Sequence, residues 1–297
     1  MLEHEAPAPV TTTLTFWGTR GSIPTPGPTT TRYGGNTACV AVGLGDDHLV
    51  VLDAGTGIRA LGQDLVHRGS RPNRVDILLS HTHWDHIQGL PFFQPLHHAD
   101  RTVRIYGARQ GTVALEEILN QQMAPVVFPV PMQKLAADIR ITEVTEGAFA
   151  IGAVRVEAIR LRHPGVTLGY KLISANGGGT LAYVTDNELG QGGDYDVPAD
   201  WRARLVKFLH GVETLIHDGM FSEESIRARH GWGHSTPRQA VELAIESGVP
   251  RLVLFHHEPA NGDDAIDRLL ADAQSHARRA GTGLSVGAAQ EGATLTL

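Results

Sequence analysis

The sequence has one cysteine, no long apolar run and no recognisable export signal. Because Cys39 is the single cysteine, an intramolecular disulfide is excluded, which suits a reducing compartment. No apolar run approaches the roughly 20 residues that span a bilayer, so we expect no membrane association. The N-terminal stretch MLEHEAPAPV lacks the basic start and apolar centre of a signal peptide. These absences favour a folded cytoplasmic protein.

Basic residues are also scarce relative to acidic ones. The chain carries 25 Lys and Arg against 32 Asp and Glu, a formal net charge of −7. Binding a long nucleic acid by charge requires clustered Lys and Arg, so a large RNA is a disfavoured partner. A small phosphate-bearing substrate held by metal ions is not excluded. Histidine, in contrast, is abundant: 16 histidines against five tyrosines point to metal or proton chemistry.

Segments with strand and helix patterns alternate along the chain. VDILLS is a continuous apolar run that predicts a buried strand, whereas TPRQAVELAIESG has the apolar spacing of a helix. Such alternation in both halves predicts two sheets covered by helices on their outer faces. No stretch is rich enough in Pro, Ser or charge to act as a linker. We therefore predict a flexible leader over residues 1–12 and one domain over residues 13–297.

The densest chemistry lies in HTHWDH, residues 81–86, directly after VDILLS. Imidazole nitrogens and carboxylate oxygens together suit divalent metals, and open α/β sheets place ligands at the carboxyl ends of strands. His81 and His83 can point to one side of the turn, while Asp85 and His86 can face a second position. One metal would scarcely use all four side chains, so the segment predicts two adjacent metals with further ligands from elsewhere.

Other metal-capable residues follow other apolar strands. His163 comes after AVRVEAIRL, Asp186 after TLAYVT, and His256 after RLVLF. A single histidine at a strand end is most often structural, but several such segments directed at one sheet edge are hard to obtain by accident. His256 and His257 are adjacent, and strand alternation places them on opposite sides, so either could be the last ligand.

HTHWDH resembles the HxHxDH signature of the metallo-β-lactamase fold, and the later residues resemble its remaining ligand motifs in the same order. The resemblance implies an α/β fold, a four-layer αββα sandwich with a dinuclear site that is usually zinc and sometimes manganese or iron. It favours His256 over His257, and it implies that Asp53 in VVLDAGTG braces the metal loop from behind. The implied ligands are His81, His83 and His163 for a first metal; Asp85, His86 and His256 for a second; and Asp186 between them.

The segment GHSTPRQAVELAIESGVPRLVLFHH resembles the C-terminal region of ribonuclease Z and related phosphodiesterases. His234 matches the histidine of their HST motif, which lies near the scissile phosphate. Asp218 falls where those enzymes carry a glutamate that orients this histidine. The long Gly- and Pro-rich insertion with which ribonuclease Z grips transfer RNA is absent from the sequence. This departure and the acidic charge favour a small phosphodiester, such as a cyclic nucleotide, as the substrate.

The sequence thus predicts a dinuclear metal-dependent phosphodiesterase that uses a metal-bridging hydroxide, with Asp85, His234 and Asp218 as catalytic residues. His234 would donate a proton to the leaving oxygen while Asp218 fixes its orientation. Two alternatives stay open: a hydrolase of the same fold acting on a thioester or lactone, and a metal-binding sensor without turnover. A homodimer is a further expectation, because related folds often dimerise.

Overall fold

A computed structural model describes residues 12–44, 48–67, 72–174 and 179–297. Apart from Thr12, which begins the first strand, the predicted leader lies outside these residues. The described residues form 14 strands and six α-helices. The strands divide into two sheets of seven strands each.

The first sheet contains the strands of the N-terminal half and one late strand. Its order is β14-β1-β2-β3-β4-β5-β6, in which β1, β2 and β3 pair antiparallel and β3 to β6 pair parallel. The strands are β1 (Thr12–Gly18), β2 (Cys39–Leu44), β3 (Leu49–Leu52), β4 (Arg74–Leu78), β5 (Thr102–Gly107), β6 (Asp138–Glu143) and β14 (Thr294–Thr296).

The second sheet follows in the C-terminal half. Its order is β13-β12-β11-β10-β9-β8-β7, in which β7 to β10 pair antiparallel and β10 to β13 pair parallel. The strands are β7 (Gly147–Ile151), β8 (Val154–Arg160), β9 (Leu168–Ser174), β10 (Thr180–Val184), β11 (Thr214–Asp218), β12 (Arg251–Phe255) and β13 (Ser285–Ala288).

The helices connect these strands. None of those in the described part of the chain is long and apolar enough to cross a membrane. The α-helices are α1 (Ile58–His67), α2 (Trp84–Ile87), α3 (Leu115–Gln122), α4 (Trp201–Leu209), α5 (Pro237–Glu246) and α6 (Asp263–Ala280). Short 3₁₀ helices cover Leu90–Phe92, Gln94–His97, Met132–Lys134 and Ser225–Ala228.

The two sheets pack face to face, with helices on both outer faces. Phe16 of β1 and Phe255 of β12 are in contact across the sheets, with ring centroids 6.2 Å apart. Ile58 and Leu61 of α1 bury their side chains against the outer face of the first sheet. Leu205 of α4, with apolar residues of α5 and α6, covers the second sheet in the same way. Because both faces of the central strands are buried, VDILLS has no polar alternation. The predicted αββα sandwich is confirmed.

The sequence patterns missed two edge strands, β7 and β14. β7 reads GAFAI and is mostly exposed, and β14 reads TLT and pairs with β1 alone. Edge strands of this kind are short and bury only part of one face, so they carry little apolar periodicity. Neither strand contributes a residue to the predicted site.

The strands that lead to the predicted site residues all end at one edge of the sandwich. β3 and β4 run parallel in the first sheet, and β10, β11 and β12 run parallel in the second. β8 is antiparallel to β9, which is antiparallel to β10, so β8 points the same way as β10. Side chains that follow these strands are therefore gathered at the same edge.

The first turn of α5 is stabilised by a capping box of Thr236 and Gln239. The backbone N–H of Gln239 donates to Thr236 Oγ1 at 3.2 Å, and the backbone N–H of Thr236 donates to Gln239 Oε1 at 3.0 Å. This capping box satisfies two otherwise unpaired donors. Ser235, the residue before this cap, donates its hydroxyl to Asn187 O at 2.5 Å.

We expect Thr236→Ala to lower the free energy of unfolding by about 1 kcal/mol, because the first turn loses its side-chain acceptor. Thr236→Ser keeps the acceptor and is the matched control, with a change of less than about 0.5 kcal/mol. Urea denaturation of the three proteins measures the difference. Equal midpoints for the alanine and serine variants would contradict this assignment of the cap.

Candidate metal centre

All seven predicted metal ligands lie together at this edge. They come from the ends of β4, β8, β10 and β12, and each of them except His83 is buried. They form two groups, and within each group the candidate ligand atoms lie within 4.8 Å of one another. The first group is His81, His83 and His163, and the second group is Asp85, His86, Asp186 and His256.

The first group surrounds a small space beside Asp186. His163 Nε2 lies 3.0 Å from His83 Nδ1 and 3.6 Å from Asp186 Oδ2. His81 Nε2 lies 3.8 Å from the same carboxylate oxygen. Three imidazole nitrogens and one carboxylate oxygen therefore face a common centre.

The second group shares the other oxygen of Asp186. His86 Nε2 lies 3.3 Å from Asp186 Oδ1 and 3.2 Å from Asp85 Oδ2. His256 Nε2 lies 3.2 Å from Asp186 Oδ1 and 3.0 Å from Asp85 Oδ2. Asp186 thus presents one oxygen to each group, as a residue between two metals would.

The second nitrogen of three of these imidazoles has its own partner. His86 Nδ1 donates to Asp53 Oδ2 at 2.7 Å, and His163 Nδ1 donates to Gly233 O at 3.0 Å. His81 Nδ1 lies 3.0 Å from the hydroxyl of Ser80, which itself donates to Asp53. Because a neutral imidazole carries one N–H, these partners assign the proton to Nδ1 and leave Nε2 as a lone pair facing the centre.

Two of these Nε2 atoms are buried without a hydrogen-bond partner. They belong to His81 and His86. An unpaired buried polar atom costs about 1–3 kcal/mol, so two of them that face one centre require an explanation. Bound cations provide one, and mixed imidazole and carboxylate donors suit divalent metals. The cluster therefore fits divalent metal ions.

The protonation states agree with ligand chemistry. Burial lowers the pKa of His81 well below its usual value and that of His163 to about 4, so both rings are neutral at pH 7. Burial opposes ionisation of Asp85, but the neighbouring His86 and the hydrogen bond from His256 hold its pKa well below the usual range. Neutral imidazoles and an ionised carboxylate are the forms that bind metals.

His86 carries the opposite shift. Burial lowers its pKa, but the charges of Asp85, Asp186 and Asp53 outweigh burial and raise it well above the usual value. A positive charge is thus favoured among these three carboxylates, and in the absence of a cation a proton on His86 supplies it. A metal ion would take the place of that proton.

Asp53 braces the second group from behind. Its buried carboxylate accepts four hydrogen bonds: from Ser80 N at 2.7 Å, Ser80 Oγ at 2.8 Å, His86 Nδ1 at 2.7 Å and Tyr183 Oη at 2.8 Å. Tyr183 belongs to the second sheet, so this hydrogen bond also joins the two sheets at the site. The resemblance implied a bracing role for Asp53 towards the metal loop, and that role stays a prediction.

Backbone strain is concentrated at the same residues. Asp53, Asp186 and His256 have φ values of 62°, 51° and 59°, in the left-handed region that residues other than glycine rarely adopt. Each directly follows the strand that carries it or lies within two residues of its end. Strain of about 1–3 kcal/mol per residue persists where function requires it. Such strain has no signature in the sequence.

His234 and Asp218 form a pair beside both groups. His234 Nδ1 donates to Asp218 Oδ2 at 2.6 Å, and Asp218 Oδ1 accepts from Met220 N at 2.9 Å. A ring nitrogen of His234 lies within 4.8 Å of ligand atoms of His163 and Asp186. Burial lowers the pKa of His234, but the Asp218 carboxylate outweighs burial and raises it to about 9. The ring is therefore protonated at neutral pH in the metal-free protein.

The structure also separates the two adjacent histidines at the end of β12. His256 faces Asp85 and Asp186, as described above. His257 directs Nε2 to Ala289 O at 3.0 Å and packs its ring edge-on against Tyr33. The geometry therefore supports His256, and the role of each residue as a ligand remains a proposal.

Two residues at the site were missed by the sequence analysis. The backbone N–H of Ser22 donates to Asp85 Oδ2 at 2.7 Å. Glu188, which is 1% exposed, accepts from Gly231 N at 2.9 Å and Gly233 N at 3.0 Å, and so fixes the loop before His234. Glu188 stands two positions after Asp186, and a second acid so close to a ligand was an available signal. The Ser22 contact is made by backbone and left no such signal.

Comparisons with known proteins found a family model and curated relatives that match most of the chain. Residues 48–257 match the model of the family described as Beta-lactamase superfamily domain. A curated relative, Ribonuclease Z of Bacillus thuringiensis (strain Al Hakam), is 23% identical, and the match covers 87% of this chain and 92% of the relative.

Solved structures support the fold. Unliganded yeast PDE1 is 14% identical with a TM-score of 0.69, over 97% of this chain and 100% of the other. The metallo-beta-lactamase fold protein YhfI of Bacillus subtilis is 17% identical with a TM-score of 0.67, again over 97% and 100%.

The two groups predict two divalent ions per chain. His163→Ala should retain one ion, because it removes a donor of the first group only, whereas Asp186→Ala should reduce binding at both positions. His98→Ala, which changes an exposed histidine away from the cluster, should retain both ions. Inductively coupled plasma mass spectrometry of the purified, zinc-equilibrated proteins measures the stoichiometry. Full retention of both ions by Asp186→Ala would show that Asp186 does not lie between them.

Proposed function

Because this chain belongs to the beta-lactamase superfamily and is a metal-dependent hydrolase of that fold, we propose that it cleaves a small phosphodiester such as a cyclic nucleotide. The proposed metals are two divalent ions, with zinc preferred and manganese or iron as alternatives. The proposed ligands are His81, His83 and His163 at the first position, Asp85, His86 and His256 at the second, and Asp186 between them.

The observation that carries the proposal is the His234–Asp218 pair. An imidazole whose Nδ1 is held by a carboxylate at 2.6 Å, beside the ligand groups, has the arrangement of a general acid. The alkoxide leaving group of a phosphodiester requires protonation. The thiolate leaving group of a thioester requires protonation less. A general acid at His234 therefore favours a phosphodiester substrate over a thioester or lactone.

The residues divide the chemistry between them. Divalent ions held at the two positions would supply charge that offsets the charge developing on the phosphoryl oxygens, and would bring the pKa of a water molecule towards neutrality. His234 donates its proton to the leaving oxygen, and the hydrogen bond from Nδ1 to Asp218 directs the ring and stabilises its charged form. Asp85 and Asp186 hold the site negative enough to retain both cations.

The surroundings of the site support a small substrate with an apolar or aromatic group. Three large apolar side chains that are close in the chain to residues of the site are exposed: Ile23 at 57%, Trp84 at 79% and Trp232 at 58%. Trp84 lies between His83 and Asp85 in the chain, and Trp232 lies two residues before His234. The Arg229 guanidinium lies 5.8 Å from the centre of the Trp232 ring. Flat rings of this kind suit a nucleobase better than they suit a long phosphate backbone.

RNA is the second candidate substrate, because curated relatives carry the name Ribonuclease Z. The acidic net charge of −7 favours the small phosphodiester. A hydrolase of thioesters or lactones and a sensor without turnover are the other outcomes that a substrate panel can return. Cytoplasmic location and a homodimer stay predictions from the sequence.

His234→Ala should lower kcat by about 10²–10⁴ while leaving the metal content unchanged, because the variant loses the acid and no proposed ligand. The loss should be larger for a cyclic nucleotide than for bis-p-nitrophenyl phosphate, whose nitrophenolate leaves without protonation. Asp218→Asn should show the same preference with a smaller loss. Steady-state kinetics on both substrates, with metal analysis of each variant, provide the measurement.

The matched control for His234→Ala is His210→Ala, which changes an exposed histidine in another loop and should retain wild-type kcat. An equal loss of kcat on the two substrates in His234→Ala would contradict the role of His234 as the general acid. Loss of metal in parallel with loss of activity would make His234 a ligand instead.

A substrate panel tests the proposal as a whole. Zinc- or manganese-loaded protein should give its highest kcat/KM on a cyclic nucleotide or bis-p-nitrophenyl phosphate, compared with a lactone, a glutathione thioester and a precursor transfer RNA. The highest value on the lactone, the thioester or the RNA would replace the proposed substrate by that class. No hydrolysis of any member by fully metallated protein would favour the sensor.

A further inference from the structure

The segment between β1 and β2, residues 19–38, is called the opening loop below. It is anchored to the end of β12: Gly21 N donates to His257 O at 3.0 Å. Arg20 is fully buried, and its guanidinium group donates to Gly34 O at 2.8 Å and to Asn261 O at 2.5 Å. The loop is thus held in one position against the metal centre by buried hydrogen bonds.

Gly21 contacts the ring of His256 so closely that no side chain fits. A Cβ atom at Gly21 would lie 2.3 Å from Cε1 and 2.4 Å from Nδ1 of that ring. The ring cannot move aside freely, because it stacks between His86 and His234 with centroids 5.3 and 5.0 Å away. Gly21 does not have a positive φ, so glycine is required there for space alone.

Ser22 makes the second contact of the loop with the metal centre. Its backbone N–H donates to Asp85 Oδ2 at 2.7 Å, and to do so it adopts a φ of 60°. Its side chain is exposed, so the strained backbone is not explained by packing of the hydroxyl. The hydrogen bond from the Ser22 N–H to Asp85 therefore offsets the strain of a left-handed backbone conformation at Ser22.

We propose that the opening loop sets the affinity of the second metal position, with Gly21 and Ser22 as positioning residues for His256 and Asp85. The inference rests on the proposed dinuclear centre. Gly21 fixes the ring of one ligand by close contact, and Ser22 occupies one lone pair of the other. Both contacts are made to the second group.

The first group is positioned by a different part of the chain. His163 donates to Gly233 O, and a Cβ atom at Gly233 would lie 2.1 Å from His163 Nδ1. Gly233 in turn is held by Glu188 through its N–H at 3.0 Å. Two separate loops therefore hold the two positions, and disturbance of the opening loop should act on the second position alone.

Gly21→Ala tests the close contact. We expect the dissociation constant of the zinc ion at the second position to rise about 10–100-fold, the range found when groups that orient metal ligands are changed, while that at the first position stays within about twofold. Gly27→Ala is the matched control, because Gly27 lies in the same loop without a positive φ and a Cβ atom there meets nothing within 4 Å. Zinc titration against a competing chelator measures both constants, and His163→Ala and His256→Ala assign them to the two positions.

Ser22 gives a test that does not depend on buried packing. Ser22→Val places a β-branched residue at positive φ, which disfavours the conformation that directs the N–H at Asp85, and should weaken the second zinc ion. Ser22→Gly keeps the N–H and relieves the strain, and should bind both ions as the wild type does. If Gly21→Ala does not fold, as judged by thermal unfolding of the metal-free protein, the comparison of Ser22→Val with Ser22→Gly tests the proposal by itself.

Wild-type affinity at both positions in Gly21→Ala and Ser22→Val, or equal weakening at both positions, would overturn the proposal. These titrations need no turnover, so an absence of phosphodiesterase activity would not affect them. Failure of the wild-type protein to bind two ions would instead refute the dinuclear centre on which the inference rests.

Discussion

The central constraint on this molecule is that carboxylates and imidazoles are buried together in a small space. Asp85 and Asp186 lie within about 4 Å of several imidazole nitrogens, and two of those nitrogens are buried without a hydrogen bond. Such a cluster is costly unless positive charge is placed within it. The proposed phosphodiesterase function is consistent with that need, since cations held among these groups would act on a phosphoryl group.

The fold meets this constraint by directing strands from two sheets to one edge. Each sheet alone supplies an incomplete set: HTHWDH and Asp53 follow strands of the first sheet, while His163, Asp186 and His256 follow strands of the second. Packing of the sheets face to face completes both groups. The left-handed residues at three strand ends then turn their side chains into the shared space, and the stability of the sandwich offsets that strain.

The sequence predicted the layers, and its seven candidate ligands lie together in the structure, because both signals are local. Apolar runs marked the central strands, and polar residues directly after those runs marked the site. The edge strands β7 and β14 were missed because they bury too little to show periodicity. Ser22 and Gly21 could not be found because their contacts depend on a backbone amide and on the absence of a side chain. These contacts join residues that are far apart in the chain, so they can be identified only in the folded structure.

Anomalous diffraction from crystals grown with zinc would test the central claim most directly. The account predicts two peaks at full occupancy, one at about 2.0–2.2 Å from nitrogens of His81, His83 and His163, and the other at similar distances from His86, His256 and Asp85. Asp186 should contact both ions with separate oxygens. A single peak at one group, or peaks only at histidines outside both groups, would contradict the account.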